Sequence, residues 1–301
     1  MPKVSVLMSA YNSGKYIAEA IESILNQTFS DFEFIIVNDG STDDTADVIK
    51  KYAAQDSRII FIDNKQNRGL VPCLNQGLEL CRGEYIARMD SDDIAMPDRF
   101  ETEVKYLDDN PDVGVVGGWH EAFGDNIKPL VRKYPLRVSL LDMLTLGAPM
   151  SQPTAMLRTS VMRANNIKYN PNFPYAEDYE FWANIVRYTK VHNLPIVMIK
   201  YRIHGNNVSI VAHKTQVANA NIVRNAIIGH LTHSDAVARK LFEMTYETVT
   251  RIWLFGFLPI IKRKQYGITK TKYCLFEKIP LVMVKNNSIY LFNFIKIGKL
   301  A

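Results

Sequence analysis

The sequence lacks the features that identify several large classes of protein. Its three cysteines are an odd number without CxxC spacing, which argues against a disulfide framework or a zinc site and fits a reducing compartment. No stretch approaches the roughly 18 apolar residues that a transmembrane helix needs. The apolar run from Val4 to Ala10 is barely long enough for a signal peptide and leads into a turn, so we interpret it as a core strand. These absences favour a cytoplasmic globular protein.

The sequence also lacks the common glycine-rich loops that bind phosphate groups. The first predicted strand is followed by the segment Ser9–Gly14, which matches neither GxGxxG nor GxxxxGK[ST]. This argues against a dinucleotide-binding fold and a P-loop. If phosphates bind here, a metal ion and basic side chains must neutralise them. Arg68 is a candidate for that role, although its neighbours Asn67 and Gly69 also fit an ordinary surface turn.

Acidic and basic residues are unevenly distributed along the chain. The net charge is +5, but residues 251–301 contain ten Lys and Arg residues against one acid, Glu277. The C-terminal part therefore carries +9, and the remaining residues carry −4. Because the larger part is acidic and no recognition motif accompanies the basic part, we predict no nucleic-acid partner.

Short apolar runs alternate with segments of helical period through the first 120 residues. This alternation predicts an α/β fold with a mainly parallel sheet covered by helices. We also predict that Ser41 or Thr42 caps a helix that runs to about Ala54. The predicted strands are Val4–Met8, Phe34–Val37, Arg58–Asp63, Tyr85–Met89 and Val113–Val116.

Four polar residues, Asp90 to Asp93, directly follow one of these predicted strands. Hard cations such as Mg²⁺ and Mn²⁺ prefer oxygen ligands and often bind through one or two carboxylates plus phosphate oxygens. An EF-hand is excluded, because Ile94 and Ala95 stand where that loop needs a polar ligand and a glycine. A turn that begins a helix explains the same residues without a ligand.

Two other predicted strands also end in polar residues. Tyr11 and Asp39, like Asp90, lie at or just past the carboxyl end of a strand. In open α/β sheets, ligands bind in the crevice outside these ends. We therefore expect the three residues to lie at one crevice, which turn chemistry alone does not require.

Taken together, these motifs resemble the family-2 inverting glycosyltransferases with the GT-A fold. The matching segments appear in the family's order between about residues 3 and 205 and are highly specific as a set. They are Val4–Asn12, Ile36–Asp43, Asn67–Gly69, Met89–Asp93 and Glu177–Trp182.

The resemblance implies a Rossmann-like GT-A fold, with a mainly parallel central sheet and helices on both faces, and a set of site residues. It assigns the DxD motif to Asp90 and Asp92, and a Mn²⁺ or Mg²⁺ site to Asp92 and His204. A lone histidine such as His204 also occurs as a purely structural residue. The nucleotide-sugar contacts implied by the resemblance are Ala10, Tyr11, Asn12, Asp39, Arg68, Asp90 and Ser91.

Inverting transfer requires a base that takes a proton from the acceptor hydroxyl. A nucleoside diphosphate leaves as a stable anion when a metal ion offsets its charge, so no protein acid is needed at the leaving group. One carboxylate then suffices. By resemblance this base is Asp178, and Glu177 supports it or contacts the acceptor. The alternative is an acidic helix start, since acids are favoured there.

The resemblance places the acceptor beside the segment Gly147–Met156. We predict two domains, a catalytic domain at 1–210 and an extension at 211–301 that is helical and then basic and apolar. Blocks rich in Leu, Ile and Phe recur at 254–261, 275–282 and 291–297 with Lys or Arg close behind. Such blocks suit a membrane interface. A packing subdomain or a homo-oligomer contact is the alternative.

Together these features predict a metal-dependent inverting glycosyltransferase, with a UDP-sugar favoured as donor. The predicted acceptor is a lipid-linked glycan in bacterial cell-surface polysaccharide synthesis, at the inner face of the cytoplasmic membrane. A sugar-1-phosphate nucleotidyltransferase is an alternative, although it normally carries the missing glycine-rich loop. The second alternative is a non-catalytic glycan-binding or scaffold protein with the same fold.

Overall fold

The computed structural model describes all residues except 125–126, 206, 208–210, 235–246, 255–257, 267–269, 276–278, 286–287, 292–294 and 300–301. The chain forms two compact units, Met1–Asn225 and Ala226–Ala301. The domain boundary predicted after residue 210 stays a prediction. Within the described part of the chain, no helix combines the length and the apolar character needed to cross a bilayer.

Strands and helices alternate through the first unit, as the sequence predicts. The strands are β1 (Val4–Ala10), β2 (Phe32–Asp39), β3 (Ile59–Asn64), β4 (Tyr85–Asp90), β5 (Ile94–Ala95), β6 (Val113–Gly124), β7 (Leu130–Arg132), β8 (Arg137–Val138), β9 (Met156–Arg158) and β10 (Lys190–Ile203). The helices are α1 (Ile17–Leu25), α2 (Thr45–Ala53), α3 (Leu70–Leu80), α4 (Arg99–Asp109), α5 (Leu140–Leu146), α6 (Thr159–Ala164) and α7 (Glu177–Ile185), and α8 (His213–Ser234) continues past the end of the first unit.

The first unit contains one mixed sheet with the strand order β3-β2-β1-β4-β9-β6-β10-β5. Strand β1 pairs in parallel with both β2 and β4, and β2 pairs in parallel with β3. The short strand β9 is antiparallel to both β4 and β6. The predicted mainly parallel α/β sheet is thus confirmed, and the carboxyl ends of β1, β2 and β4 meet at one edge.

Helices cover both faces of this sheet because successive side chains of a strand point to opposite sides. On one face, Val6 and Met8 of β1 belong to a fully buried apolar cluster with Phe100 of α4. On the other face, Leu7 packs against α3, where a Cβ on Gly77 would lie only 2.2 Å from Leu7 Cδ1. The close approach of α3 to the sheet therefore depends on glycine at this position.

Strand β6 is much longer than the four residues predicted at Val113–Val116. It runs from Val113 to Gly124 because it pairs in parallel with β10 along this whole length. Its second half is only partly apolar, so it has no simple strand pattern. The pairing places the end of β10 near the metal-site candidates.

The predicted helix cap at Ser41 or Thr42 is wrong. Helix α2 begins at Thr45, with Asp44 as its N-cap residue. The Ser41 hydroxyl instead accepts a hydrogen bond from the backbone N–H of Asn12 at 3.0 Å, and the Asn12 side chain accepts one from Thr42 N–H at 2.9 Å. Ser41 and Thr42 therefore join the loop after β2 to Asn12 in the loop after β1.

The second unit contains an antiparallel sheet with the order β11-β12-β13-β14-β15-β16. The predicted helical part of the extension corresponds to α8, but the sequence analysis predicted no sheet after it. Three residues of each predicted apolar block, 255–257, 276–278 and 292–294, lie outside the described residues. The strands are β11 (Glu247–Leu254), β12 (Leu258–Tyr266), β13 (Lys270–Leu275), β14 (Ile279–Lys285), β15 (Ser288–Leu291) and β16 (Ile295–Lys299).

Candidate active site

The carboxylate of Asp39 is buried at the end of β2 and is fixed by the loop after β3. Its two oxygens accept hydrogen bonds from the backbone N–H groups of Arg68 and Gly69, at 2.7 and 2.9 Å. The Cys73 thiol also donates a hydrogen bond to this carboxylate. Gly40 permits this approach, since it has φ +65° and a Cβ there would lie 2.5 Å from the carbonyl carbon of Gln66. Asp39 is therefore held rigidly as an acceptor at the sheet edge.

The loop after β1 lies between the loops that follow β2 and β4. Ala10, the last residue of β1, is buried, whereas the Tyr11 side chain is 48% exposed. Ser13 N–H donates to the Thr45 hydroxyl at 2.8 Å, and the hydroxyls of Ser13 and Ser91 lie 2.7 Å apart. The three strand ends thus form one connected edge, as the sequence predicts.

Asp90, the last residue of β4, is paired with a buried arginine from the same strand. Arg88 is 1% exposed, and its guanidinium donates to Asp90 Oδ1 at 2.9 Å and to the Leu7 carbonyl at 2.6 Å. Burial raises the pKa of Asp90, the positive charge of Arg88 opposes this shift, and the negative charge of Asp92 adds to it. Arg88 therefore both orients Asp90 and favours its ionised form.

Asp92 and His204 lie side by side although 112 residues separate them. Nε2 of His204 is 2.9 Å from Oδ2 of Asp92, and the imidazole stacks on the ring of Tyr16 at a centroid distance of 4.8 Å. The antiparallel pairing of β5 with residues 199–200 of β10 brings the two together. The predicted metal-ligand pair is thus adjacent in the fold.

Asp93 and Arg202 fasten the end of β10 to the aspartate loop. Asp93 is fully buried, and its Oδ1 accepts a hydrogen bond from Arg202 N–H at 2.8 Å. The Arg202 side chain donates to the Asp92 carbonyl at 2.8 Å and forms an ion pair with Glu19. Its guanidinium also lies over the Tyr16 ring. Neither Asp93 nor Arg202 was among the predicted site residues.

The donor atoms present fit a divalent cation that binds together with a diphosphate. Within the described residues, no group of three His, Cys, Asp or Glu side chains forms a complete metal site. Asp92 and His204 supply one carboxylate oxygen and one imidazole nitrogen. Mg²⁺ and Mn²⁺ commonly take one or two protein ligands and complete their shell with water and substrate phosphates. The pair therefore suits a shared metal site rather than a closed protein cage.

Asp178 and Glu177 begin helix α7 and have strongly perturbed acidities. Burial raises the pKa of Asp178 to about 6; a hydrogen bond from Tyr179 N–H opposes the shift, and the charge of Asp90 adds to it. Burial and the charge of Asp178 raise the pKa of Glu177 to about 7. Buried carboxylates with neighbouring charges are typical of catalytic sites, because their basicity is matched to neutral pH.

The loop predicted to border the acceptor lies near Asp178. Ser151, in this loop, has its hydroxyl 2.9 Å from His120 Nδ1, and the Tyr134 hydroxyl lies 3.5 Å from the same nitrogen. Burial lowers the pKa of His120 to about 4, so this imidazole is neutral at pH 7. Burial raises the pKa of Tyr134, and the charge of Asp178 contributes to the shift. These polar groups therefore face the same region as the candidate base.

The structure brings most of the predicted site residues to one edge of the sheet. The side chain of Arg68 is exposed beside Asp39, while Asn12 is turned towards the loop after β2. Sequence analysis assigned no role to Arg88 or Arg202, and it named Asp93 only as one of the four polar residues that follow a strand. The one signal for Arg88 was a charged residue within an otherwise apolar strand, and the others depend on long-range pairing.

Comparison with known proteins identifies the family. The model of glycosyl transferase family 2 matches residues 5–163, which include β1, the loop after β2 and the aspartates after β4. The chain belongs to glycosyl transferase family 2. Family membership favours a glycosyltransferase over the nucleotidyltransferase and the non-catalytic alternatives.

Two relatives cover much of this glycosyltransferase. An uncharacterised glycosyltransferase of Haemophilus influenzae is 36% identical over 233 residues, which are 74% of this chain and 72% of the relative. The Escherichia coli enzyme WfaP, named UDP-Glc:alpha-D-GlcNAc-diphosphoundecaprenol beta-1,3-glucosyltransferase, is 30% identical over 228 residues. These are 75% of this chain and 87% of WfaP.

Solved structures with low sequence identity share the fold. Staphylococcus aureus TarS, in complex with UDP-GlcNAc, has a TM-score of 0.65 and 21% identity over 80% of this chain and 70% of TarS. The mannosyltransferase PcManGT of Pyrobaculum calidifontis, with GDP-Man and Mn²⁺, has a TM-score of 0.54 and 16% identity over 80% of this chain and 78% of PcManGT. The expected GT-A fold is thus confirmed for this family-2 glycosyltransferase.

Proposed function

We propose that this glycosyltransferase moves a sugar from a UDP-sugar to a lipid-linked glycan with inversion at the anomeric carbon, using Mn²⁺ or Mg²⁺. The observation that carries the proposal is the raised pKa of the Asp178 carboxyl. Its pKa is raised to about 6, and it lies close enough to Asp90 for that charge to contribute. A carboxylate with a pKa of about 6 is ionised at pH 7 yet still accepts a proton readily.

The donor half of the site is assigned to the edge formed by β1, β2 and β4. Asp39, with Ala10, Tyr11 and Asn12, is proposed to hold the base and ribose, and the exposed Arg68 lies close by. UDP is favoured because TarS binds UDP-GlcNAc and WfaP is named for UDP-Glc, whereas PcManGT binds GDP-Man. The buried acceptor atoms of Asp39 fit the N–H of a base.

The diphosphate is assigned to the aspartate loop. Asp90 and Ser91 would contact the ribose and diphosphate, and Asp92 and His204 would hold the metal. A bound divalent cation offsets the charge that develops on the departing diphosphate. Arg88 favours the ionised form of Asp90 and holds it in place through the ion pair at 2.9 Å. The protein therefore contributes position and charge at the leaving group rather than a proton.

Asp178 takes the proton of the acceptor hydroxyl as that oxygen attacks the sugar. Glu177, whose pKa is raised to about 7, supports Asp178 or contacts the acceptor. The bond from the sugar to the diphosphate breaks on the opposite face, which gives inversion. His120 and Ser151 border the space for the acceptor.

The acceptor class rests on a relative. WfaP is named for a sugar linked to diphosphoundecaprenol and is 30% identical to this chain. We infer a lipid-linked acceptor of bacterial cell-surface polysaccharide synthesis, used at the inner face of the cytoplasmic membrane. The basic tail at 251–301 is proposed as one attachment to that membrane, with a homo-oligomer contact as the alternative. Replacing Lys262, Arg263 and Lys264 by serine should reduce binding to anionic vesicles if the tail attaches.

A transfer assay tests the proposed reaction. Purified enzyme is incubated with Mn²⁺, a panel of UDP-sugars and a sugar-diphosphate acceptor with a short alkyl chain, and the product is identified by mass spectrometry. Asp178→Asn should lower the rate by a factor of about 10² to 10⁴. The matched control is Asp109→Asn, since Asp109 is exposed and pairs only with Lys105 among the described residues. Normal transfer by Asp178→Asn would overturn the base assignment.

A further inference from the structure

An edge segment of the first unit, residues 127–138, exposes apolar side chains to solvent. Leu130 is 68% exposed, Leu136 is 56% exposed and Val131 is 38% exposed. Single exposed apolar residues are common on protein surfaces and need no explanation. Here three of them lie within seven positions on β7 and the loop that follows it. Such clustering marks a contact surface.

The same edge segment carries positive charge without compensating acids. Lys128, Arg132, Lys133 and Arg137 are exposed, and the segment contains no Asp or Glu. None of the four forms a salt bridge with any residue that the structure describes, whereas the exposed Lys105, Lys168 and Lys190 each pair with an acid. The edge segment therefore combines apolar side chains with unneutralised bases.

The edge segment also adjoins the acceptor side of the site. Strand β7 pairs only with β6 in the described sheet, so its other edge is unpaired. Trp119 Nε1 of β6 donates to the Tyr134 carbonyl at 3.3 Å, and the Tyr134 hydroxyl is directed to His120. Tyr134 thus connects the segment to the region of Asp178. Residues 128–133, which include β7, are exposed to solvent.

We propose that the edge segment binds an anionic lipid bilayer. Its leucines and Val131 enter the interface, and its four bases lie against lipid phosphates. Apolar side chains flanked by bases are the chemistry that recognises such a surface, and each base strengthens binding about fivefold. This inference rests on the proposed lipid-linked acceptor, since it places the acceptor side of the site at the membrane. It concerns a surface separate from the tail at 251–301.

Vesicle flotation of the full chain tests the inference. Vesicles of phosphatidylcholine alone are compared with vesicles that also contain phosphatidylglycerol. The two test variants are Leu130→Ser/Leu136→Ser and Lys128→Ser/Arg137→Ser. The matched controls are Leu80→Ser, at a leucine that is 41% exposed on α3, and Lys51→Ser/Lys65→Ser, at two exposed lysines.

We expect the wild type to float with anionic vesicles and not with phosphatidylcholine alone. Each test variant should lose at least about tenfold in vesicle affinity, and both controls should retain it. Two bases together account for about 25-fold, and replacing the two leucines removes the apolar burial on which interfacial binding also depends. Wild-type affinity in both test variants, or no binding by the wild type, would overturn the inference. Equal binding to both vesicle types would also overturn it.

Transfer to the short-chain soluble acceptor separates this inference from the proposed function. None of the four edge-segment residues replaced in the test variants forms a hydrogen bond or ion pair with Asp178 or with a described residue assigned to the donor, so both variants should keep wild-type rates in solution. If the wild type shows no transfer in solution, the proposed function fails whatever the vesicles show. If transfer is normal and the variants still float like the wild type, only the edge-segment inference fails.

Discussion

Replacing Asp178 by asparagine is predicted to stabilise the fold while it removes activity. Burial raises the pKa of this carboxyl from 3.8 to about 6, and the charge of Asp90 adds to the shift despite the opposing hydrogen bond from Tyr179. A raised pKa means that the ionised carboxylate is less favourable in the folded state than in the unfolded state. Asparagine has nearly the same shape and no charge.

The size of the effect follows from the two pKa values. A carboxyl with a pKa of 3.8 when unfolded and about 6 when folded destabilises the protein by up to about 3 kcal/mol once ionised. Asp178 keeps partial contact with water, so we expect about 1–2 kcal/mol. The penalty is absent below pH 3.8, grows as the pH rises to about 6 and is constant above it.

Thermal unfolding at pH 7.5 and pH 4.5 provides the assay. At pH 7.5, Asp178→Asn should unfold about 2–8 °C above the wild type, and the difference should shrink at pH 4.5. Asp43→Asn is a control of opposite sign. Burial raises the pKa of Asp43, but hydrogen bonds from Thr45 and Gly14 lower it by more, so its pKa is below the usual value. Replacing Asp43 should therefore destabilise the fold at pH 7.5.

The reasoning would be refuted if Asp178→Asn unfolded at or below the wild-type temperature at pH 7.5 while Asp43→Asn behaved as expected. An increase in unfolding temperature that was the same at both pH values would also contradict the reasoning, since the increase would then not arise from ionisation of Asp178.

Three further predictions follow from the same geometry. The kcat/KM of transfer should fall about tenfold for each pH unit below about 6, because Asp178 of the free enzyme accepts a proton only when ionised. Asp92→Asn should weaken Mn²⁺-dependent UDP binding by at least about tenfold in calorimetry and leave metal-free binding unchanged. Gly40→Ala should destabilise the protein by about 1–3 kcal/mol, because its φ is +65° and the added Cβ would lie 2.5 Å from Gln66. Gly205→Ala is the control, since a Cβ there meets no described residue within 4 Å.

Each of these predictions has a contrary result. A kcat/KM that stays constant down to pH 5 would exclude a base with a pKa of about 6 in the free enzyme. Unchanged Mn²⁺-dependent binding by Asp92→Asn would remove that residue from the metal site. Equal stability of the two alanine variants would show that the loops after β2 and β3 do not need to pack as closely as they do.

The nucleotide-binding half could be predicted from sequence because its strands are short, buried and continuous in apolar character. The apolar segments that end at Asp39 and Asp90 predict both the strands and the polar residues at their carboxyl ends. The rule that ligands bind beyond these ends then places the site. Local pattern and global fold agree in this region.

Prediction failed where distant partners decide the structure. Ser41 was expected to cap a helix but instead accepts from Asn12 N–H, 29 residues earlier. Strand β6 extends to Gly124 only because β10 pairs with it. The buried Arg88 carries no periodic signal, and the role of Arg202 depends on Asp93, 109 residues away. Such pairings are properties of the folded chain and leave no local pattern.

The most direct test of the central claim is the binding of nucleotides with and without metal. Thermal unfolding is measured with UDP, GDP, CDP and dTDP, each with and without Mn²⁺, for the wild type and for Asp92→Asn. A nucleotide at about 100 times its Kd stabilises a protein by roughly 2.7 kcal/mol. The account predicts that UDP raises the unfolding temperature most, that Mn²⁺ increases this gain and that Asp92→Asn removes the increase. No shift with any nucleotide, with or without Mn²⁺, would contradict the assignment of this edge of the sheet as the donor site.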